Sequence, residues 1–126
     1  MKLKATDKNM SLLSRINTSV NETIKYVPDS IQFNKAEDWR DARATNKDDC
    51  DGFALTKYLE LSEAGVPEEC MAVCTCIAEI GGGHAVLIVS TDAGDFVLDN
   101  RYAEIKLYDS LPYNWMYVPE NVTGKN

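Results

Sequence analysis

The sequence DDCDGFALTKYLELSEAGVP, residues 48–67, decides the fold that we predict. It predicts a helix over residues 50–64, because apolar side chains recur along one face at helical spacing. The side chains of that face are Cys50, Phe53, Ala54, Tyr58, Leu61 and Ala64. Gly65 supplies a left-handed stop, and Pro67 prevents the helix from resuming. The stretch therefore places Cys50 at a helix start, where unpaired N–H groups and the helix dipole favour a thiolate.

Three aspartates flank Cys50. Asp48 or Asp49 can cap the helix, and Asp51 adds the negative charge that a first turn favours. The same negative charge raises the pKa of a neighbouring thiol, so a nucleophilic Cys50 needs that charge offset. A bound cation would offset it, and oxygen ligands of this kind suit Ca²⁺. The alternative is that the aspartates only cap the helix and face solvent.

The chain before residue 48 contains one clear helix and a long irregular part. Leu12, Leu13, Ile16, Val20 and Ile24 recur at helical spacing and predict a helix over residues 11–25. Pro28 ends it, and residues 29–49 are mostly irregular, with a short helical piece over residues 36–43.

The chain after Pro67 changes to the pattern of strands. Residues 84–90, HAVLIVS, form an apolar and branched run that predicts a central strand. A glycine triplet, residues 81–83, precedes this run, and residues 91–95 predict a turn after it. Further strands are predicted over residues 71–80, 96–99, 105–108 and 115–118. Helices followed by an antiparallel sheet indicate the α+β class.

His84 and Asp99 stand at the two ends of a predicted hairpin. His84 begins the central strand, and Asp99 ends the next strand. With the turn at residues 91–95, both ends come together and the carboxylate of Asp99 can orient the imidazole. Together with Cys50, these residues have the nucleophile, base and orienting acid of a thiol hydrolase. Each also has a plain structural alternative: a core cysteine, a surface histidine and a turn aspartate.

The composition is that of one globular domain, residues 1–126, with 44% hydrophobic and 26% charged residues. We expect residues 1–10 and 120–126 to be loosely held, since both ends are polar. A net charge of −7 without a basic cluster argues against nucleic acid as a partner. No stretch reaches the roughly 20 apolar residues of a membrane span, and no secretory signal follows Met1. We therefore expect a cytoplasmic protein, or one assembled into a larger particle such as a virion.

The other three cysteines are Cys70, Cys74 and Cys76. Their spacing resembles a metal site only loosely, and the chain's one histidine lies too far along to complete it. A disulfide is possible, but a chain without a signal peptide is expected in a reducing compartment. We interpret all three as small buried hydrophobic residues, with Cys74 and Cys76 on one face of a strand.

Five ordered blocks of this sequence resemble the bacterial transglutaminase-like cysteine proteinases, whose best-known members are periplasmic adhesin-releasing proteases. The blocks cover residues 49–54, 57–58, 65–69, 84–87 and 97–100. The upstream residues Val20, Asn21, Tyr26, Asp29 and Trp39 fit the same pattern. The resemblance extends over residues 20–119. It implies a papain-like, transglutaminase-type core in which the cysteine starts a central helix packed on an antiparallel sheet.

The resemblance also implies the site. A Cys-His-Asp triad falls on Cys50, His84 and Asp99, and the calcium-binding acids of some relatives fall on Asp49 and Asp51. This chain departs from the pattern at Gly52, where the family usually has a third acid. Two carboxylates are a thin ligand set for an ion that takes roughly 6–8 oxygens.

The predicted function is a cysteine peptidase or amidohydrolase that cleaves a peptide or isopeptide bond through a thioester. The backbone N–H of Cys50 holds the oxyanion, with the indole N–H of Trp39 as a candidate second donor against the alternative of a core aromatic. The expected substrate is a protein or peptide, peptidoglycan peptides included. Two alternatives stay open: acyl transfer to an amine at the same site, and a non-catalytic structural or binding module that keeps the fold.

Overall fold

In the part of the chain that the structure describes, two α-helices pack on one face of a five-stranded antiparallel sheet. The computed structural model describes residues 2–25, 50–79 and 81–122, and at residues 24, 25, 50 and 51 it describes the backbone alone. The helices in these ranges are α1 (Asp7–Lys25) and α2 (Cys50–Glu63). The strands are β1 (Met71–Ile77), β2 (Gly83–Thr91), β3 (Gly94–Leu98), β4 (Lys106–Leu107) and β5 (Asn114–Tyr117). The α+β prediction is confirmed, and the helical piece predicted over residues 36–43 lies outside the described residues.

The sheet has the strand order β4-β3-β2-β1-β5, so β2 is its central strand, as its apolar run predicted. Every side chain from residue 85 to residue 91 is buried. The helices cover one face of the sheet, where Leu87 and Val89 contact Leu61 and Leu13 of the helical layer. Segments from the last part of the chain cover the other face. A strand that is buried on both faces typically has a continuous apolar run rather than an alternation of apolar and polar residues.

Helix α2 begins at Cys50 and ends where the sequence predicted its end. Gly65 has φ +103°, and the N–H of Val66 donates to the carbonyl of Leu61 at 3.0 Å, the long hydrogen bond of a Schellman cap. The helix packs mainly on β2, the strand that carries His84. The fold thus holds the helix that starts with Cys50 against the strand whose second residue is the chain's sole histidine.

The N-terminus differs from the prediction. Leu3 forms a parallel bridge with Thr91, and its N–H donates to the carbonyl of Ser90 at 2.9 Å. Thr6 caps α1 by accepting the N–H of Asn9 at 3.1 Å, so the helix starts at Asp7 rather than at residue 11. Backbone pairing and a helix cap thus involve residues 3–10, which belong to the segment that we expected to be loosely held.

The C-terminal tail also departs from the prediction within the described residues. A short 3₁₀-helix spans Glu120–Val122, and Val122 is completely buried against the second face of the sheet. The tail is therefore packed as far as residue 122. No helix in the ranges given above has the length and hydropathy needed to cross a membrane.

Candidate active site

His84 and Asp99 meet at one end of the β2–β3 hairpin. His84 follows a turn in which Gly81 and Gly82 have φ of +91° and +88°, a conformation that other residues rarely adopt. Asp99 directly follows β3. His84 Nε2 lies 2.8 Å from Asp99 Oδ1, and the Asp99 side chain is completely buried. The hairpin thus brings together the imidazole and the carboxylate that the sequence predicted to meet.

The Asp99 carboxylate accepts further hydrogen bonds besides the one from His84. The N–H of Arg101 donates to its Oδ1 at 2.9 Å, and the hydroxyl of Tyr113 donates to its Oδ2. Burial alone raises the pKa of Asp99, but the hydrogen bonds from His84, Tyr113 and Arg101 outweigh it and hold the pKa below its usual value. Asp99 is therefore an ionised carboxylate behind the imidazole at neutral pH.

Tyr113 is a part of this site that the sequence analysis missed. Its ring stands edge-on to the His84 ring, with centroids 5.5 Å apart and an angle of 75° between the planes. Burial, followed by the hydrogen bond to Asp99, raises the pKa of Tyr113, so its hydroxyl stays protonated and donates. No pattern marks Tyr113 in the sequence, since it lies in an irregular segment before β5.

Arg101 extends the site towards the surface. Its guanidinium group forms two hydrogen bonds to Glu79, at 2.9 and 2.7 Å, and a third to the Tyr113 hydroxyl at 3.1 Å. The hydrogen bond from Arg101 lowers the pKa of Glu79 to about 2. A planar guanidinium group that binds a carboxylate through two nitrogens is held in one orientation. Arg101 therefore keeps the Tyr113 hydroxyl in position to donate its hydrogen bond to Asp99.

Helix α1 fixes the loop that follows Asp99, residues 99–103. Asn21 Nδ2 donates to the carbonyls of Asp99 and Tyr102 at 3.1 and 3.2 Å. Asn17 and Thr18 donate to the carbonyl of Ala103 at 3.0 and 3.2 Å. Polar residues on the inner side of α1 therefore satisfy the loop's backbone and hold it in place.

A cavity of about 410 Å³ lies between this loop, α1 and the first turn of α2. Phe53 of α2 lines it together with Asn21, Asn100 and Tyr102. The amide oxygens of Asn21 and Asn100 are buried and accept no hydrogen bond from the part of the chain that is described. Because Phe53 lies one turn after Cys50, the start of α2 is at the same end of the molecule as the Asp99 loop.

The remaining predicted site residues lie at or beyond the limit of the described structure. Cys50 is the first residue of α2, as predicted, with its backbone described and its side chain not. Asp51 lies in the first turn of the same helix, again with its backbone alone. Trp39 and Asp49 lie outside the described residues.

The other three cysteines are buried in the domain. Cys74 and Cys76 lie on the sheet face opposite to the helices, and Cys70 lies on the helical side. Burial raises the pKa of Cys74 to about 12, so it stays a thiol at neutral pH. The interpretation of these residues as small hydrophobic core residues is confirmed.

A sequence model of the bacterial transglutaminase-like cysteine proteinases matches residues 1–123, nearly the whole chain. The chain belongs to this family. The resemblance seen in the five sequence blocks is thereby confirmed, and the family is one of cysteine peptidases. No curated protein is matched by this chain.

The fold of this chain is similar to the fold of solved structures of LapG from Legionella pneumophila. The calcium-bound form matches with a TM-score of 0.65 and 20% identity over 90% of this chain. The EGTA-treated form matches with a TM-score of 0.64 and 18% identity over 89% of this chain. This chain spans 66% and 63% of those two chains. The likeness confirms the predicted transglutaminase-type fold.

Proposed function

We propose that this protein is a cysteine peptidase with Cys50 as nucleophile, His84 as general base and acid, and Asp99 as the group that orients His84. The observation that carries the proposal is the 2.8 Å contact between His84 Nε2 and the buried, ionised Asp99. Family membership and the position of Cys50 at the start of α2 support it. The backbone start of α2 lies at the same end of the domain as the His84–Asp99 pair.

The contact with Asp99 assigns the proton on the His84 ring. An ionised carboxylate only accepts hydrogen bonds, so Nε2 carries the proton that it shares with Asp99. In the neutral ring the lone pair is then on Nδ1, which is the nitrogen that takes the proton from the Cys50 thiol. The negative charge of Asp99 stabilises the imidazolium that forms.

The start of α2 supplies the electrostatics at Cys50. The first N–H groups of a helix lack intrahelical partners, and together with the dipole they stabilise a thiolate and then the oxyanion of the tetrahedral intermediate. The thiolate attacks the amide carbonyl, His84 protonates the leaving amine, and water releases the acyl group from the thioester. Trp39 remains our candidate for a second oxyanion donor. Each such donor contributes about 3 kcal/mol to stabilising the transition state.

The proposed substrate is a protein or peptide. The cavity beside the Asp99 loop is lined by the polar side chains of Thr18, Asn21 and Asn100, and hydroxyl and amide groups of this kind form hydrogen bonds with the N–H and C=O groups of a peptide backbone. An extended peptide that crosses the start of α2 would bring such N–H groups to this cavity. We propose that this cavity binds residues next to the cleaved bond.

Calcium at Asp49 and Asp51 stays a separate proposal, suggested by the calcium-bound LapG structure. The two carboxylates fall short of the roughly 6–8 oxygens that the ion takes, and Gly52 adds no side-chain ligand. Within residues 2–23, 52–79 and 81–122, no group of three or more His, Cys, Asp or Glu side chains could hold a metal. Asp49 and the side chain of Asp51 lie outside these ranges, and no step of the mechanism passes through the ion.

Alkylation by iodoacetamide tests the proposed nucleophile without knowledge of the substrate. At neutral pH we expect Cys50 to react at least about 100-fold faster than Cys70, Cys74 and Cys76, because the thiolate is the reactive species and the other three are buried. Peptide mapping by mass spectrometry over time measures all four rates in one sample.

The matched control is the His84→Ala variant, in which Cys50 keeps its helix start but loses its base. Its alkylation should slow markedly while the other three thiols keep their rates. A native protein in which Cys50 reacts no faster than the buried thiols, or in which His84→Ala leaves its rate unchanged, would contradict the proposal.

A further inference from the structure

Lys57 is a charged side chain that the mechanism above does not use. It lies on α2 and is completely buried, with 0% of its surface exposed. Burial lowers the pKa of Lys57 to about 7, although attraction to Asp99 raises it in part. A buried ammonium group costs free energy that an apolar side chain of similar size would avoid. Packing alone therefore does not explain a lysine at this position.

The ammonium group is directed at α1. Lys57 Nζ donates to Asn17 Oδ1 at 2.8 Å, and Asn17 is itself completely buried. In its protonated form Lys57 only donates, so that form requires the oxygen of the Asn17 amide and leaves the amide nitrogen facing the other way. That nitrogen donates to the carbonyls of Tyr102 and Ala103, each at 3.0 Å. Lys57 thus sets the orientation of an amide that holds the loop after Asp99.

The same loop fixes the Asp99 carboxylate. The carbonyl of Tyr102 accepts hydrogen bonds from both Asn17 and Asn21, and Asn21 also holds the carbonyl of Asp99. The N–H of Tyr102 donates to the carbonyl of Asp99 at 3.3 Å, and the N–H of Arg101 donates to its Oδ1. A continuous chain of hydrogen bonds therefore leads from Lys57 through Asn17 to the backbone of the loop that follows the Asp99 carboxylate.

We propose that Lys57 is a positioning residue for the His84–Asp99 pair and that it acts through Asn17. The inference rests on the proposed function for its effect on turnover, but its effect on the pair itself can be measured separately. A lysine that merely joined α1 to α2 would change the stability of the domain and leave the geometry of the pair unchanged. The test must therefore include a direct observation of His84.

The chain contains one histidine, so the NMR signal of the His84 Nε2 proton has a single source. In Lys57→Met, which keeps the length of the side chain and removes the donor, we expect this signal to shift and broaden. We also expect kcat to fall about 10–100-fold with little change in KM, since small displacements of a catalytic group have effects of this size. Turnover is measured on fluorescently labelled casein.

Two control variants separate positioning from stability. Lys8→Met repeats the substitution on an exposed residue of α1, and Val66→Ala removes buried volume at the far end of α2. Val66→Ala should lower the melting temperature and leave the His84 signal unchanged. If Lys57→Met lowers the melting temperature but leaves the His84 signal and kcat unchanged, the lysine is only structural and the proposal is wrong.

A variant of Asn17 is the second test of the proposal, and it can be used even if Lys57→Met does not fold. Asn17→Asp keeps an oxygen for Lys57 and removes the N–H donors to the loop, so it should disturb the His84 signal as Lys57→Met does. An undisturbed signal in Asn17→Asp would contradict a path through Asn17. A wild-type protein in which Cys50 reacts with iodoacetamide no faster than the buried thiols, but whose His84 signal still responds to Lys57→Met, would overturn the proposed function and support the positioning role.

Discussion

Replacing Cys50 by alanine is expected to reduce peptide hydrolysis by about 10⁶-fold, to the level of the assay background. The Cys50 sulfur forms the thioester intermediate on which the whole reaction depends. No other group of the proposed site can replace it as the nucleophile that attacks the carbonyl. Hydrolysis of labelled casein measures the loss, and circular dichroism checks that the fold is kept.

Cys70→Ala is the matched control for this variant. Cys70 is also a cysteine, but it is completely buried in the helical layer at the far end of α2. Its replacement should lower stability modestly and leave turnover per folded molecule unchanged. If Cys50→Ala hydrolyses casein at the wild-type rate, Cys50 is not the nucleophile and the mechanism is wrong.

Replacing Asp99 by alanine is expected to lower both activity and stability. Turnover should fall by about 10³–10⁴-fold, because His84 loses the carboxylate that fixes its tautomer and stabilises its charged form. The free energy of unfolding should fall by about 3 kcal/mol, since the donors on His84, Tyr113 and Arg101 lose their acceptor in a buried place. Casein turnover and urea denaturation measure the two effects.

The variant also carries a prediction about pH. The native pKa of Asp99 is held below its unfolded value, so the carboxylate stabilises the fold above the unfolded pKa. That stabilisation is lost as the pH falls through the native pKa, and Asp99→Ala should therefore show a weaker loss of stability in acid than the wild type.

Tyr113→Phe is the control for the Asp99 variant. It removes one donor to the carboxylate and keeps the contact between His84 and Asp99, so its effects on turnover and stability should be much smaller. An Asp99→Ala protein that turns over as fast as Tyr113→Phe would show that the carboxylate does not orient the base.

The parts of the structure that follow from local pattern could be predicted from the sequence. The apolar run that begins at His84 identifies the central strand, and Gly65 ends α2 by a conformation that few other residues adopt. The meeting of His84 with Asp99 follows from hairpin geometry, because a turn at residues 91–95 brings the two ends together. These features depend on residues that are close in the sequence, so local sequence patterns are sufficient to predict them.

The parts that depend on tertiary packing could not be predicted in this way. The polarity of Lys57 predicts a helix position that faces solvent, yet Lys57 is completely buried, and Asn17 of α1 accepts a hydrogen bond from its amine nitrogen. Tyr113 reaches Asp99 from a distant irregular segment that no periodicity marks. The early start of α1 did have a local signal, since Thr6 before Asp7 is a good helix cap. No local sequence signal predicted the pairing of Leu3 with the end of β2.

The central claim is that the Cys50 thiolate lies against the imidazole of His84, and the titration of that single imidazole tests it most directly. In wild type, a thiolate in contact stabilises the imidazolium, so the His84 pKa measured by NMR should be more than one unit higher than in Cys50→Ala. The account predicts that difference. An identical His84 titration in the two proteins would contradict it, because the thiol and the imidazole would then not interact.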